Sequence, residues 1–156
     1  MTRTKSQKTN IQNRKARHEY FILEEIEAGI VLTGSEIKSL REGKANIQPA
    51  FAEERGGEIW LLNSHISEYK GANKFNHKPL RPRKLLLHKK EIKKLIGKVK
   101  EKGVTLIPLS LYINQRNIAK VKLALGKGKK LHDKRADIKE REWKRDKERI
   151  EKEKFH

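Results

Sequence analysis

From Gly126 to the C-terminus the chain has no apolar face to bury. Residues 127–156 hold 13 Lys or Arg and 8 Asp or Glu, and the large apolar residues among them are Leu131, Ile138, Trp143, Ile150 and Phe155. At about 100° per residue these do not fall on one stripe, so the segment cannot pack on a domain as an amphipathic helix. Helix formers dominate it, and Glu140–Lys144 and Glu148–Lys152 are favourable i, i+4 pairs, worth only about 0.2–0.5 kcal/mol each. The tail is therefore expected to be disordered when free and ordered on a partner. The N-terminus adds little to a core. Arg3, Lys5, Lys8, Arg14, Lys15 and Arg17 dominate the first 19 residues, and the first ten or so are expected to be disordered. One domain has to be assembled between residues 18 and 126, from a chain that is 35% apolar where about 45–50% is usual.

Within that window the text alternates strand and turn signals. Tyr20, Phe21, Ile22, Leu23, Ile26, Ile30, Val31 and Leu32 read as one long bent strand or two short ones, broken near Gly29. Thr33-Gly34-Ser35-Glu36 is a capping box, which predicts a short helix over 34–42 that buries Ile37 and Leu40 and ends at Gly43. Residues 46–64 read as two strands around a Gly56-Gly57 hairpin turn. Pro79 and Pro82 oppose helix, so 65–84 reads mostly as loop, with a possible strand near 64–70. Ile92, Leu95, Ile96 and Val99 predict a helix over 88–101. Val104 to Ile113 is a strongly apolar strand, demoted by Pro108 toward an edge or a bulge. After the 114–117 turn, Ala119, Val121, Leu123 and Leu125 alternate with Lys120 and Lys122, which puts the two lysines on one outer face. The expected fold is mainly β with flanking helices, a small closed barrel over 13–126, preceded by a basic arm (1–12) and followed by a basic tail (127–156).

Charge narrows the function. With 39 Lys or Arg against 20 Asp or Glu the net charge is +19, which predicts a polyanionic partner, because basic groups displace condensed counterions from phosphates. No apolar stretch approaches the roughly 18 residues of a membrane span, and no apolar segment follows the basic start, so neither a membrane helix nor a secretory signal is expected. Zero cysteines exclude a disulfide framework, a thiolate zinc site and a cysteine nucleophile, and suit a reducing cytoplasm. The six histidines show no ligand spacing and no HExxH motif, so neither an enzyme nor a metal or other cofactor is expected. Gly126-Lys127-Gly128-Lys129-Lys130 lacks the spacing and the Ser or Thr of a P-loop and reads as a flexible basic hinge that touches phosphates. Lys120 and Lys122, beside that cluster, are candidate nucleic-acid contacts. The lysines of the 88–101 helix are either a second such surface or a solvated face. Glu27 is an ordinary surface acid or, within a basic face, an acceptor for base edges or a 2′-OH.

Several blocks resemble one family. Asn13-Arg14-Lys15-Ala16-Arg17-His18-Glu19-Tyr20, Glu27-Ala28-Gly29, Gly34 to Arg41, Arg83 to Leu87, Leu109 to Tyr112 and Lys127 to Arg135, running on through Asp137 to Trp143, are similar to the bacterial SsrA-binding protein (SmpB) family, in order and over nearly the whole chain. The resemblance implies an oligonucleotide-binding (OB) β-barrel with flanking helices and a C-terminal tail. It implies a cytoplasmic protein, not itself an enzyme, that binds transfer-messenger RNA and carries it to ribosomes stalled on messages without a stop codon. Alanyl-tRNA synthetase charges that RNA, and elongation factor Tu with GTP escorts the complex. Residue by residue, Asn13, Tyr20, Glu27 and Lys120 match positions implicated in the tRNA-like domain. Lys127, Lys129, Lys130, His132 and Arg135 match tail-base positions that approach the decoding centre of the small subunit. Asp137 to Trp143, with Ile138, Lys139 and Arg141, match the segment that becomes helical in the empty mRNA channel beyond the A site. Ile113-Asn114-Gln115-Arg116-Asn117 departs from the pattern, since many relatives carry an aromatic residue and a shorter turn there. The rival reading is a general RNA-binding or ribosome-associated OB-fold protein. Such proteins stack bases on exposed aromatics, and this chain has only nine Phe, Tyr and Trp residues, several at core positions.

Overall fold

The computed structural model describes residues 9–72, 75–129 and 131–154. In chain order the elements are β1 (Asn10–Gln12), α1 (Ala16–Glu19), β2 (Tyr20–Ile30), α2 (Gly34–Arg41), β3 (Ala45–Asn46), β4 (Phe51–Arg55), β5 (Glu58–Leu62), β6 (His65–Ile66), β7 (Arg83–Leu86), α3 (Lys89–Val99), β8 (Val104–Ile113), β9 (Ala119–Gly128) and α4 (Leu131–Lys154). The fold is mainly β with helices at its ends. Antiparallel pairing runs β8-β4-β5-β7-β2-β9 and returns from β9 to β8, so six strands form a ring, with β1 added alongside the far half of β8. β3 and β6 form a separate two-stranded ladder.

The core lies inside the ring. Leu61, Leu85, Leu111, Val121 and Leu123 from the strands are fully buried with Leu40 of α2, and Leu95 of α3 joins them. Each such leucine contributes roughly 1.5–3 kcal/mol through removal from water. A second, smaller cluster sits outside the ring, where α1 places Ala16 over Ile107, Leu109 and Ala124. It explains why β8 and the middle of β9 are buried on both faces. The alternation expected from Lys120 and Lys122 stops at Leu123, because residues 123–126 are all buried.

Several expectations change. β2 does not break at Gly29, which pairs with Leu86 on one side and Lys120 on the other; the irregularity is a bulge at Leu23. Pro108 does mark a bulge, with Leu109 the extra residue between the pairs Pro108–Leu123 and Ser110–Lys122, but β8 is interior and not an edge. The first strand of the 46–64 pair starts at Phe51, and Gly56 and Gly57 close the hairpin at φ +62° and +83°, values that favour glycine. The possible strand near 64–70 is the two-residue β6, and the end of the stretch read as loop, Arg83 and Lys84, begins β7. Part of the expected disordered N-terminus is strand β1, pinned to β8; residues 1–8 lie outside the described residues.

The tail, expected to order only on a partner, is helical over Leu131–Lys154. Every side chain described in it is exposed, so its helicity rests on local pairs such as Lys144–Glu140 at 3.6 Å and Arg149–Asp146 at 3.3 Å. Of the described residues, no helix is long and apolar enough to cross a membrane.

At the α2 end, an ion cluster fixes the loop that leads into β7. The capping box is present: the Glu36 backbone N–H donates to Thr33 Oγ1 (3.3 Å), and the Thr33 N–H donates to Glu36 Oε1 (2.8 Å). The same carboxylate accepts Arg81 through two nitrogens (2.6 and 3.0 Å) and Arg83 Nε (2.7 Å). Arg83 is fully buried and also donates to Ser64 O (2.7 Å), Ser64 Oγ (2.9 Å) and Pro79 O (3.1 Å). Burial alone would raise the Glu36 pKa, but the Arg81 hydrogen bonds, the Thr33 N–H and the Arg83 charge outweigh it and hold it at about 2.

Candidate functional site

Residues directly opposite across a ladder point to the same face, so the register alone assembles a surface. One row runs Asn10–Tyr112–Lys120–Gly29–Leu86 over β1, β8, β9, β2 and β7. The next runs Gln12–Ser110–Lys122–Glu27. Glu27 and Lys122 are exposed, and Lys120 and Tyr112 are half-buried. Lys120 and Lys122 share the outer face that their alternation predicts, and the register brings the candidate Glu27 beside them.

The geometry adds Tyr112, whose hydroxyl donates to Glu27 Oε2. Burial, and then the Glu27 carboxylate as hydrogen-bond partner and as charge, push the Tyr112 pKa up to about 12, so the phenol remains a donor at neutral pH. The bond ties one oxygen of the exposed Glu27 carboxylate to β8. Tyr112 escaped the sequence reading because it sits in an apolar strand. Extending the period of Lys120 and Lys122 across the 114–117 turn would have found it.

Charge on this face is partly neutralised within the fold. Glu25 accepts Arg17 at 3.0 Å and lies 3.8 Å from Lys122 Nζ. Lys120 has no ion-pair partner among the described residues. Beside the rows runs a groove of about 490 Å³, lined by Asn10, Gln12, Arg14, Arg17, Tyr112 and Lys122 among others. Every one of these six has a hydrogen-bonding or charged group.

Tyr20 falls elsewhere, and Asn13 lines both this groove and a second one. Asn13 is only 9% exposed. Its backbone N–H donates to Leu109 O (2.8 Å) and its Nδ2 to Pro108 O (2.9 Å), so it takes up both carbonyls of the β8 bulge. Its Oδ1 is buried without a hydrogen bond. Asn13 is placed to hold Arg14 and Arg17 over the groove. Tyr20 lies across Gly126, where an added Cβ would sit 3.1 Å from its own Cβ. It lines a second groove, about 500 Å³, with Lys15, Glu19, Gln48, Phe51 and Thr105.

The tail base continues from the ring. β9 runs on to Gly128, Lys127 is exposed, and the Lys129 N–H donates to Glu19 O (2.9 Å). Lys129 Nζ donates to Arg17 O (3.1 Å) and lies 5.0 Å from the Phe21 ring centre. Arg135, Ile138, Lys139, Arg141 and Trp143 are exposed along α4. Lys130 lies outside the described residues, as do the side chains of His132 and Asp137. No group of three or more His, Asp or Glu gathers at metal-binding distance among the described residues.

Comparison with known proteins points the same way as this surface. The family model described as SmpB protein matches residues 10–153. An SsrA-binding protein of Wolbachia pipientis subsp. Culex pipiens (strain wPip) is 64% identical over 141 residues, covering 90% of this chain and 95% of that protein. One of Rickettsia africae (strain ESF-5) is 57% identical over 147 residues, covering 94% and 97%. Among solved structures, a chain from "tmRNA-SmpB: a journey to the center of the bacterial ribosome" superposes with a TM-score of 0.68 at 50% identity, covering 79% of this chain and 86% of that one. With a model match over nearly its whole length, and relatives this similar end to end, the chain belongs to the SmpB protein family.

Proposed function

We propose that this chain binds the tRNA-like domain of transfer-messenger RNA and delivers it to stalled ribosomes for trans-translation. The likeness to SsrA-binding proteins over nine-tenths of the chain carries this reading. In it the strand ring is a closed barrel of the OB type, and the outer rows around Glu27 and Tyr112 receive the RNA. Lys120, Lys122, Arg14 and Arg17 meet backbone phosphates, Glu27 accepts from a base edge or a 2′-OH, and Tyr20 meets the RNA from the second groove. Asn13 contributes by positioning. The protein performs no bond chemistry. Alanyl-tRNA synthetase and elongation factor Tu act on the charged RNA, in the cytoplasm.

The tail supplies the sensing step. A helix about 10–12 Å across, charged all round, fits a channel walled by phosphate, and only where message does not already fill it. In this reading Lys127, Lys129, Lys130, His132 and Arg135 lie at the decoding centre, and Asp137 to Trp143 enter the mRNA channel.

Two measurements test the RNA face. Glu27→Ala removes a charge-assisted hydrogen bond worth on the order of 1.5–3 kcal/mol, so affinity for transfer-messenger RNA should drop about tenfold or more with little change in melting temperature. Equal gel-shift titrations for parent and variant would remove Glu27 from the site. Lys120→Ala should lower the slope of log K against log salt by about 0.7–0.9 if the lysine neutralises one phosphate. An unchanged slope would make it a solvated lysine.

A further inference from the structure

The loop between β6 and β7 holds an aromatic ring out in water. Phe75 is 90% exposed, more than any other large apolar residue among those described, and so forgoes one of the larger apolar gains open to a side chain. The described residues around it are tied down by hydrogen bonds. Asn76 Oδ1 accepts the backbone N–H groups of Tyr69 (3.2 Å) and His77 (3.1 Å), and Asn76 Nδ2 donates to Tyr69 O (2.9 Å). These bonds clasp residues 69 and 76 together below the ring. The next residue, His77, is buried, with its ring nitrogens 2.9 Å from Ser35 Oγ of α2 and 2.9 Å from Ile66 O of β6. The stem is thus tied to two elements while the ring projects.

The surroundings are cationic. Lys70 and Lys78 are exposed and make no ion pair among the described residues. Lys38 Nζ of α2 lies 5.6 Å from the Tyr69 ring centre. Glu68 is the one acidic residue between 67 and 82. A projecting ring among unpaired cations suits a partner that is both stackable and anionic, which describes an unpaired nucleotide. An apolar protein socket would gain nothing from the cations.

We propose that Phe75 is a stacking platform for an unpaired RNA base, with Lys70 and Lys78 on the neighbouring phosphates. This contact lies on the β6–β7 loop and does not depend on the face around Glu27. The base belongs either to bound transfer-messenger RNA or to ribosomal RNA; the chemistry is the same, and two arms of one experiment separate the sources. The full chain carrying Phe75→Trp is titrated with transfer-messenger RNA and, separately, with vacant small ribosomal subunits. In one arm emission should fall further than in the parent chain, whose Trp60 and Trp143 set the background. In that same arm Phe75→Ala should weaken binding about fivefold or more, with an unchanged melting temperature, and Phe75→Tyr should restore it. Glu27→Ala should leave the excess quenching at saturation intact, which separates this site from the proposed RNA face. No excess quenching in either arm, or quenching without the affinity loss, overturns the proposal; a ring reserved for a protein partner would give the first of these.

Discussion

A chain ending at Lys129 should bind transfer-messenger RNA but support no alanine transfer to the nascent peptide on ribosomes stalled by a truncated message. The cut follows from the structure. Stopping after Gly126 would strip Lys127 and Gly128 from their pairing with Phe21 and Tyr20. Stopping after Lys129 keeps β9 whole and keeps the Lys129 N–H on Glu19 O. The missing helix buries none of its described side chains, so the melting temperature should not fall. Asn13, Tyr20, Glu27, Lys120 and Tyr112 all remain, so most of the affinity should remain too. Tagging should drop to background, because nothing is left to enter the empty channel. His132→Ala in the full chain should give a milder version of the defect. A truncated chain that tags at the parent rate would reduce the tail to a solubilising appendage.

Glu36→Ala should strongly destabilise the fold. It leaves Arg83, which is fully buried, without its carboxylate, and breaking a buried ion pair from one side costs about 3–5 kcal/mol. For a domain of this size that corresponds to a fall of roughly 10 °C or more in melting temperature. Arg81→Ala should cost less, since Arg81 is 32% exposed on its side-chain surface and water takes up part of the loss. The pH dependence has a definite sign. Glu36 titrates near 2 in the folded protein, against 4.5 ordinarily, so below about pH 4.5 the unfolded chain binds the proton first. Its contribution, on the order of 3 kcal/mol, is complete above that pH and is lost as pH falls toward 2. Denaturant melts of parent and Glu36→Gln between pH 7 and pH 2.5 check this: the gap between them should narrow on acidification. A gap that stays constant would place the stabilisation elsewhere.

Sequence and structure agree where the signal is local. The Thr33–Glu36 box and the Ile92, Leu95, Ile96, Val99 spacing are short-range patterns, and both helices stand where they put them. The second role of Glu36 is not local: its arginines lie 45 and 47 residues away, so spacing shows a cap and hides the buried ion cluster. β7 was hidden for the same reason. Pro79, Pro82 and Arg83 read as loop until a carboxylate across the fold makes a buried arginine tolerable in a strand. β1 is three residues, Asn-Ile-Gln, too short for any period to register. The proposed RNA face was half legible. Lys120 and Lys122 follow from period 2 alone, whereas Tyr112, Asn10 and Gln12 join them through register, which no single segment carries. Asn13 has a structural part that no local pattern shows: its Nδ2 donates to Pro108 O at the β8 bulge, 95 residues away, while it also lines the groove beside the rows.

Selection of one RNA is tested most directly by the RNA that stays with the chain during purification. The full chain, expressed in bacteria and isolated at moderate salt, should carry one dominant structured RNA with a tRNA-like end, with Glu27→Ala losing most of that enrichment. Mixed cellular RNA, equally abundant on parent and variant, would contradict the account and identify a general RNA-binding protein instead.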